Sequence, residues 1–148
     1  METKAKLEQA LRDAMKAGDD VTKRSVRMVL AAVRQVEIDK RISLDEPAVL
    51  SIIQKEIKTR KESVEEARSV NRADIVASTE AEIKVLETFL PEAMSAEELK
   101  AMVDTAIAEV GAVAPNDMGK VMKVLLPKIA GRAPGDQVSA AVRQALQK

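Results

Sequence analysis

Cysteine, histidine, tryptophan and tyrosine are absent from this chain of 148 residues, and Phe89 is its one phenylalanine. The lack of cysteine and histidine excludes disulfide bonds, zinc sites of the Cys/His kind, thiol nucleophiles and the side chain most often used as a base near neutral pH. With one aromatic ring, the chain cannot stack many nucleic-acid bases. Most familiar enzyme mechanisms are therefore excluded, and we expect neither a cofactor nor a metal.

Long apolar runs are absent as well. None approaches the roughly 20 residues that cross a bilayer, and residues 1–18 are charged and periodic, unlike the continuous apolar core of a signal peptide. We therefore expect a cytosolic protein with no membrane partner.

Motifs for catalysis are missing too. The segment Gly131–Gly135 lacks the Gly-Lys-Ser/Thr ending of a phosphate-binding loop, and no histidine is available to activate a serine. Glu80 and Glu82 lie on different sides of a predicted helix, so they do not form a catalytic pair by themselves. We predict no catalytic residues, although a glutamate pair assembled by tertiary folding stays open.

Aliphatic residues are abundant, and 46% of the chain is hydrophobic, which is ample for a core. Apolar residues recur every three or four positions nearly everywhere, which predicts an all-α fold. Four helices are predicted in residues 1–91. Judged by their apolar positions and end signals, the first extends from Leu7 to Gly18, the second from Val21 to Arg41, the third from an N-cap at Ser43 or Asp45 to Ser69, and the fourth from Ile75 to Pro91.

The composition of the chain changes from Pro91 onward, because this part holds four of the five prolines and four of the five glycines. We place a domain boundary there, between a four-helix domain (residues 1–91) and a small three-helix tail domain (residues 92–148). A capping box at Ser95–Glu98 opens the first tail helix, which ends at Gly111. The second runs from near Asn116 to just before Pro127, and the last carries Val138, Val142 and Leu146.

Charge is uneven along the chain, although 24 basic residues balance 24 acidic ones. Residues 92–117 hold one basic and six acidic side chains, whereas residues 118–148 hold six basic and one acidic. An ordinary solvated helix face explains such a cluster without any ligand, and a binding surface is the alternative. The basic residues of this C-terminal module are Lys120, Lys123, Lys128, Arg132, Arg143 and Lys148.

A second basic feature lies on predicted helix two, where four cations fall within about 40° on a helical wheel. It is either a secondary binding surface or the source of ion pairs to acidic residues of helices three and four. The four cations, which we call the helix-two stripe, are Lys23, Arg27, Arg34 and Arg41. The acidic candidates are Glu62, Glu65, Glu66, Glu80 and Glu82.

Arg60 occupies the apolar phase of predicted helix three, between Ile57 and Val64. A partly buried guanidinium needs a carboxylate partner, so we predict a structural ion pair with a glutamate of helix four. Contact with a ligand is the alternative.

Six segments, which together are quite specific, extend over essentially the whole chain. They are Glu37–Arg41, Ile53–Ser63, Glu80–Ile83, Phe89–Pro91, Asp117–Lys123 and Pro127–Gly135. In these segments the chain resembles the YqeY family, small bacterial proteins similar to the C-terminal tail of the GatB subunit of tRNA-dependent amidotransferase.

The resemblance implies two helical domains and a tail that helps to hold tRNA. Small residues on the surface of the tail that faces the tRNA would let backbone amides approach phosphate. The residues it implicates are Gly119, Lys120, Lys123, Lys128, Gly131 and Arg132, to which the cationic module adds Arg143.

We therefore expect an accessory protein that binds tRNA or another structured RNA, in the company of a tRNA-modifying or aminoacylation-related protein. A protein-interaction adaptor that docks on an enzyme is the alternative. A carbon–nitrogen ligase with glutamine as amido donor is a third, and it rests on the family resemblance alone.

Overall fold

The structure is a computed structural model and describes residues 2–147. Over these residues the chain forms α-helices and one short 3₁₀ turn, with no β-strand, so the all-α prediction is confirmed. The helices are α1 (Thr3–Ala17), α2 (Asp20–Lys40), α3 (Glu46–Ser69), α4 (Ala73–Glu87), α5 (Ala96–Val110), α6 (Met118–Ile129) and α7 (Gly135–Leu146).

The chain forms two compact units, the first ending at Leu90 and the second beginning at Pro91. The first unit holds α1 to α4 around an aliphatic core drawn from all four helices. The buried members of this core are Leu7, Val26, Val29, Val33, Val49, Ile53, Ile57, Val64, Ile83 and Leu86.

The second unit holds α5 to α7 around a smaller core of its own. Its buried members are Val103, Ala106, Val121, Leu125, Ile129, Ala133, Val138, Val142 and Leu146. Because α6 buries the stripe from Val121 to Ile129, its opposite face is left to solvent, and the candidate site lies there.

Helix ends follow local chemistry. Gly18 and Gly111 close α1 and α5 in the left-handed region, with φ of 68° and 65°, where a side chain is strained. Asp45 rather than Ser43 caps α3, because its carboxylate accepts a hydrogen bond from the Ala48 amide at 3.0 Å.

Two predicted helix ends near prolines are wrong. The helix α6 continues past Pro127 to Ile129, because Pro127 lies in the last turn and Ile129 is buried in the core. Conversely, α4 ends at Glu87, and the amides of Thr88 to Leu90 form tight hydrogen bonds to carbonyls three residues earlier.

The capping box predicted at Ser95 is only half formed. The Ser95 hydroxyl accepts a hydrogen bond from the Glu98 amide at 3.1 Å, as expected. The Glu98 carboxylate does not complete the box, because it accepts a hydrogen bond from Arg132 instead.

Candidate nucleic-acid interface

Three of the predicted site residues, Gly119, Lys120 and Lys123, lie on the solvent face of α6. Lys120 is 74% exposed, and its Nζ lies 3.9 Å from Asp117 Oδ1. Lys123 is exposed and makes no hydrogen bond or ion pair with any residue between 2 and 147. The two ammonium groups, one turn apart, are therefore available to an external anion.

The start of α6 lacks a side-chain cap. Asp117 precedes it, but its carboxylate accepts hydrogen bonds from the Val113 and Ala114 amides at 3.0 and 3.3 Å. These contacts, the Val113 amide first, lower the pKa of Asp117, with a smaller contribution from Lys120. The Met118 amide, the first of α6, donates to the Pro115 carbonyl of the preceding 3₁₀ turn. The positive end of the helix dipole still favours an anion at this start, and the ionised Asp117 beside it offsets part of the attraction.

The fold requires a glycine at one of the two predicted glycine positions but not at the other. Gly131 has a φ of 81°, which a side chain rarely adopts, so the turn after α6 explains why it is a glycine. Gly119 has no positive φ, and a Cβ built there would meet no atom within 4 Å. The fold therefore does not require a glycine at position 119, although a helix is weakened by one.

Lys128 and Arg132 are committed to contacts within the second unit. Lys128 Nζ lies 2.9 Å from both carboxylate oxygens of Glu109 on α5. Arg132 donates through Nε to the Glu92 carbonyl at 2.9 Å and through a terminal nitrogen to Glu98 at 2.8 Å. These two cations stabilise the unit and do not extend the free surface on α6.

Arg143, on α7, is exposed, and its side chain makes no hydrogen bond or ion pair with the described part of the chain. Lys148 of the predicted module lies outside the described residues. The predicted site therefore divides into two cations whose side chains have no partner within residues 2–147 (Lys123 and Arg143), one with a long, exposed ion pair (Lys120), and two that are closely paired (Lys128 and Arg132).

The sequence interpretation missed the carboxylates that pair with Lys128 and Arg132. Glu92 also binds Arg132, but through its backbone carbonyl oxygen. Glu98 and Glu109 come from the acidic stretch between residues 92 and 117. The uneven charge along the sequence was the signal for these pairs, because an acidic segment beside a basic segment in a small domain neutralises part of the basic charge.

The helix-two stripe does not pair with helices three and four. Lys23 lies 3.5 Å from Asp20 on its own helix, and Arg27 reaches only the Met15 sulfur at 4.0 Å. The side chains of Arg34 and Arg41 make no hydrogen bond or ion pair with residues 2–147. Three of the five glutamates proposed as partners bind other cations: Glu65 and Glu80 bind Arg68, and Glu82 binds Arg24 and Arg60.

The ion pair predicted for Arg60 is confirmed. The residue is 6% exposed, and its Nε lies 3.7 Å from Glu82 on α4. Glu80 points to Arg68 instead, so the two glutamates face different partners, as their spacing predicts.

Residues 2–147 contain no cluster of three or more acidic, cysteine or histidine side chains that could hold a metal ion. No helix in the described range is both long and apolar enough to span a membrane.

A family model described as "Yqey-like protein" matches residues 4–146. The chain belongs to the YqeY family. Two curated relatives, both from yeasts, are named "Altered inheritance of mitochondria protein 41, mitochondrial". The protein of Lachancea thermotolerans is 34% identical over 112 residues, which cover 74% of this chain and 60% of the relative. That of Kluyveromyces lactis is 40% identical over 103 residues, which cover 67% of this chain and 55% of the relative.

These relatives correct one prediction. The cytosolic expectation is wrong for this YqeY-family chain, because curated relatives that it matches are named as mitochondrial. The charged, periodic first residues, on which that expectation rested, do not decide a compartment. The restriction to bacteria that the resemblance carried is likewise unsupported, since the matched relatives are fungal. The chain spans about three fifths of the length of the first of them.

Proposed function

We propose that this YqeY-family protein binds structured RNA, with tRNA as the first ligand to test, through the solvent face at the start of α6. This surface, which we call the α6 start, consists of Gly119, Lys120 and Lys123. The protein acts as an accessory factor and contributes no chemistry of its own.

One observation carries the proposal: the α6 start combines two exposed lysines with a glycine that the fold does not require. The Lys123 side chain has no partner within residues 2–147, and Lys120 has only the 3.9 Å contact with Asp117. Backbone amides at a helix start and ammonium groups can both donate to phosphate oxygens. A missing side chain at position 119 allows a phosphate to approach the backbone closely. The similarity of segment Asp117–Lys123 to the amidotransferase tail supports RNA as the source of that phosphate.

The composition of the rest of the chain favours recognition of the RNA backbone over recognition of its bases. Phe89 is the one aromatic residue, so bases cannot be held by a series of stacking platforms. The unpaired Arg143 adds a further phosphate donor on α7. We therefore expect recognition by shape and charge, with little preference for base sequence.

The test is fluorescence anisotropy with labelled tRNA and the whole chain, over a range of salt. The affinity should fall on a log–log plot with a slope of about −0.7 to −0.9 per phosphate contacted. Lys120→Glu combined with Lys123→Glu should weaken binding by at least about tenfold, because two phosphate contacts become repulsive.

The matched control is Lys55→Glu combined with Lys61→Glu, which reverses two exposed, unpaired lysines on α3. The control keeps the same net charge as the test variant, so a general loss of electrostatic attraction would affect both equally. Equal affinities of the two variants, or a salt-independent affinity of the wild type, contradict the proposal. Arg132 is unsuitable for this test, because its contacts to Glu92 and Glu98 hold the second unit together.

A further inference from the structure

The first unit carries a groove between α1 and α2 that the proposed RNA site does not use. The groove has a volume of about 570 Å³, and we call it the α1–α2 groove. Leu11 and Leu30 form its apolar floor at the edge of the core. Arg27 and Arg34 line the rim on α2, and Glu8 lies on the α1 rim.

The charges that line this groove are only partly paired within residues 2–147. Glu37 and Lys4 bind each other at 2.9 Å, which removes one charge of each sign. Arg34 attracts the Glu37 carboxylate at longer range but makes no hydrogen bond or ion pair with residues 2–147. Arg27 contacts only a methionine sulfur at 4.0 Å. Two guanidinium groups therefore remain free along one rim.

The spacing of the arginines matches a helix. Arg27 and Arg34 lie seven residues apart on α2, or about 10.5 Å along its axis. Arg41 follows the end of the helix and has a left-handed φ of 55°, so it does not continue this spacing. Ile38, one turn after Arg34 on α2, is 63% exposed and adds an apolar side chain beside the arginine flank. An apolar seam flanked by charges that repeat every seven residues is the surface that a second helix packs against.

We propose that the α1–α2 groove binds an amphipathic helix of a partner protein, with apolar residues toward Leu11 and Leu30 and acidic residues toward Arg27 and Arg34. Charge complementarity fixes the acidic flank, and the single carboxylate of Glu8 on the opposite rim favours a basic residue there. An apolar floor gains nothing from RNA phosphates, which argues for a protein ligand. This inference is independent of RNA binding at the α6 start.

The probe is a labelled synthetic helix of three heptads, with leucine along one stripe and glutamate every seven residues on one flank. Two comparison peptides replace the glutamates by lysine or the leucines by serine. Anisotropy with the whole chain should show saturable binding of the acidic peptide and at least about tenfold weaker binding of both comparison peptides.

Charge reversal locates the contact. Arg27→Glu combined with Arg34→Glu should weaken the acidic peptide by about tenfold or more and strengthen the lysine peptide, an exchange that a folding defect does not produce. Ala31→Trp, at an exposed position that lines the groove, should obstruct both peptides. Lys55→Glu combined with Lys61→Glu should leave both affinities unchanged.

Four results overturn the inference: no saturable binding of the acidic peptide, equal binding of the lysine peptide, unchanged affinity in the arginine variant, and displacement of the peptide by tRNA. The last result would assign the groove to RNA. Failure of RNA binding at the α6 start, with peptide binding intact, would remove the proposed function and leave this inference standing.

Discussion

The buried guanidinium of Arg60 lies 3.7 Å from Glu82, and this pair connects α3 to α4 inside the first unit. One terminal nitrogen of Arg60 donates to Glu56 at 2.8 Å, and the other contacts the Met28 sulfur at 3.2 Å. Its Nε is the buried side-chain nitrogen that lacks a hydrogen bond within residues 2–147, because 3.7 Å is too long for one. Glu82 therefore compensates the charge without satisfying the donor.

Removing Glu82 should destabilise the first unit strongly. We expect Glu82→Ala to lower the free energy of unfolding by about 3 kcal/mol, at the lower end for a broken buried pair because Arg60 keeps Glu56. The measurement is urea denaturation followed by circular dichroism. Glu87→Ala, at an exposed position on the same helix, should change the value by less than about 0.5 kcal/mol. Equal effects of the two variants would show that the Arg60 pair has no special role.

Gly119→Ala separates stability from RNA binding. The fold has room for the added Cβ, so the variant should raise the free energy of unfolding by about 0.5–1 kcal/mol. It should also weaken tRNA binding severalfold, because the methyl group keeps phosphate from the backbone. Gly111→Ala is the control for glycine loss and should destabilise by about 1 kcal/mol or more, since its φ of 65° is left-handed. Greater stability with undiminished RNA affinity would contradict close backbone approach.

Glu37 should make the first unit sensitive to acid. The Leu44 amide at 2.8 Å and Lys4 Nζ at 2.9 Å lower the pKa of its carboxyl from the ordinary value of 4.5. Because the folded pKa is the lower one, the carboxylate stabilises the fold above about pH 4.5, and this contribution disappears as the pH falls through the folded pKa.

The corresponding variant is Glu37→Gln. It should be less stable than the wild type at about pH 7, and the difference should shrink toward about pH 3. Urea denaturation across this range measures it, with Glu62→Gln on the exposed face of α3 as the control. A difference that stays constant with pH would mean that Glu37 acts through packing rather than through its charge.

Arg132 should matter for the fold of the second unit more than Lys128 does. Arg132→Ala removes hydrogen bonds to Glu92 and Glu98, and we expect a loss of about 1–2 kcal/mol, since the side chain is partly exposed. Lys128→Ala breaks one exposed ion pair and should cost about 0.5 kcal/mol or less. Hydrogen exchange of amides in α5 to α7 reports on this unit, and similar protection in both variants would contradict the assignment.

The sequence by itself determined the helices and their buried faces, because periodicity and capping are local. Val26, Val29 and Val33 are buried in the helix phase that their spacing predicts, and Asp45 caps α3 as one of the two candidates. The errors near Pro91 and Pro127 have different causes. Burial of Ile129 in the core keeps α6 helical past Pro127, whereas tight turns after Glu87 end α4 before Pro91 is reached.

Only the tertiary structure decided which cations are free. Helical spacing places Lys123 and Lys128 on the surface, but it does not show that Lys128 meets Glu109, which is 19 residues away in sequence. Arg132 meets Glu98 across 34 residues, and Arg24 rather than the helix-two stripe meets Glu82 across 58. Ion pairing depends on distances between helices that are remote in sequence, and no local pattern carries that information. The α6 start and the α1–α2 groove became distinct surfaces once these pairs were known.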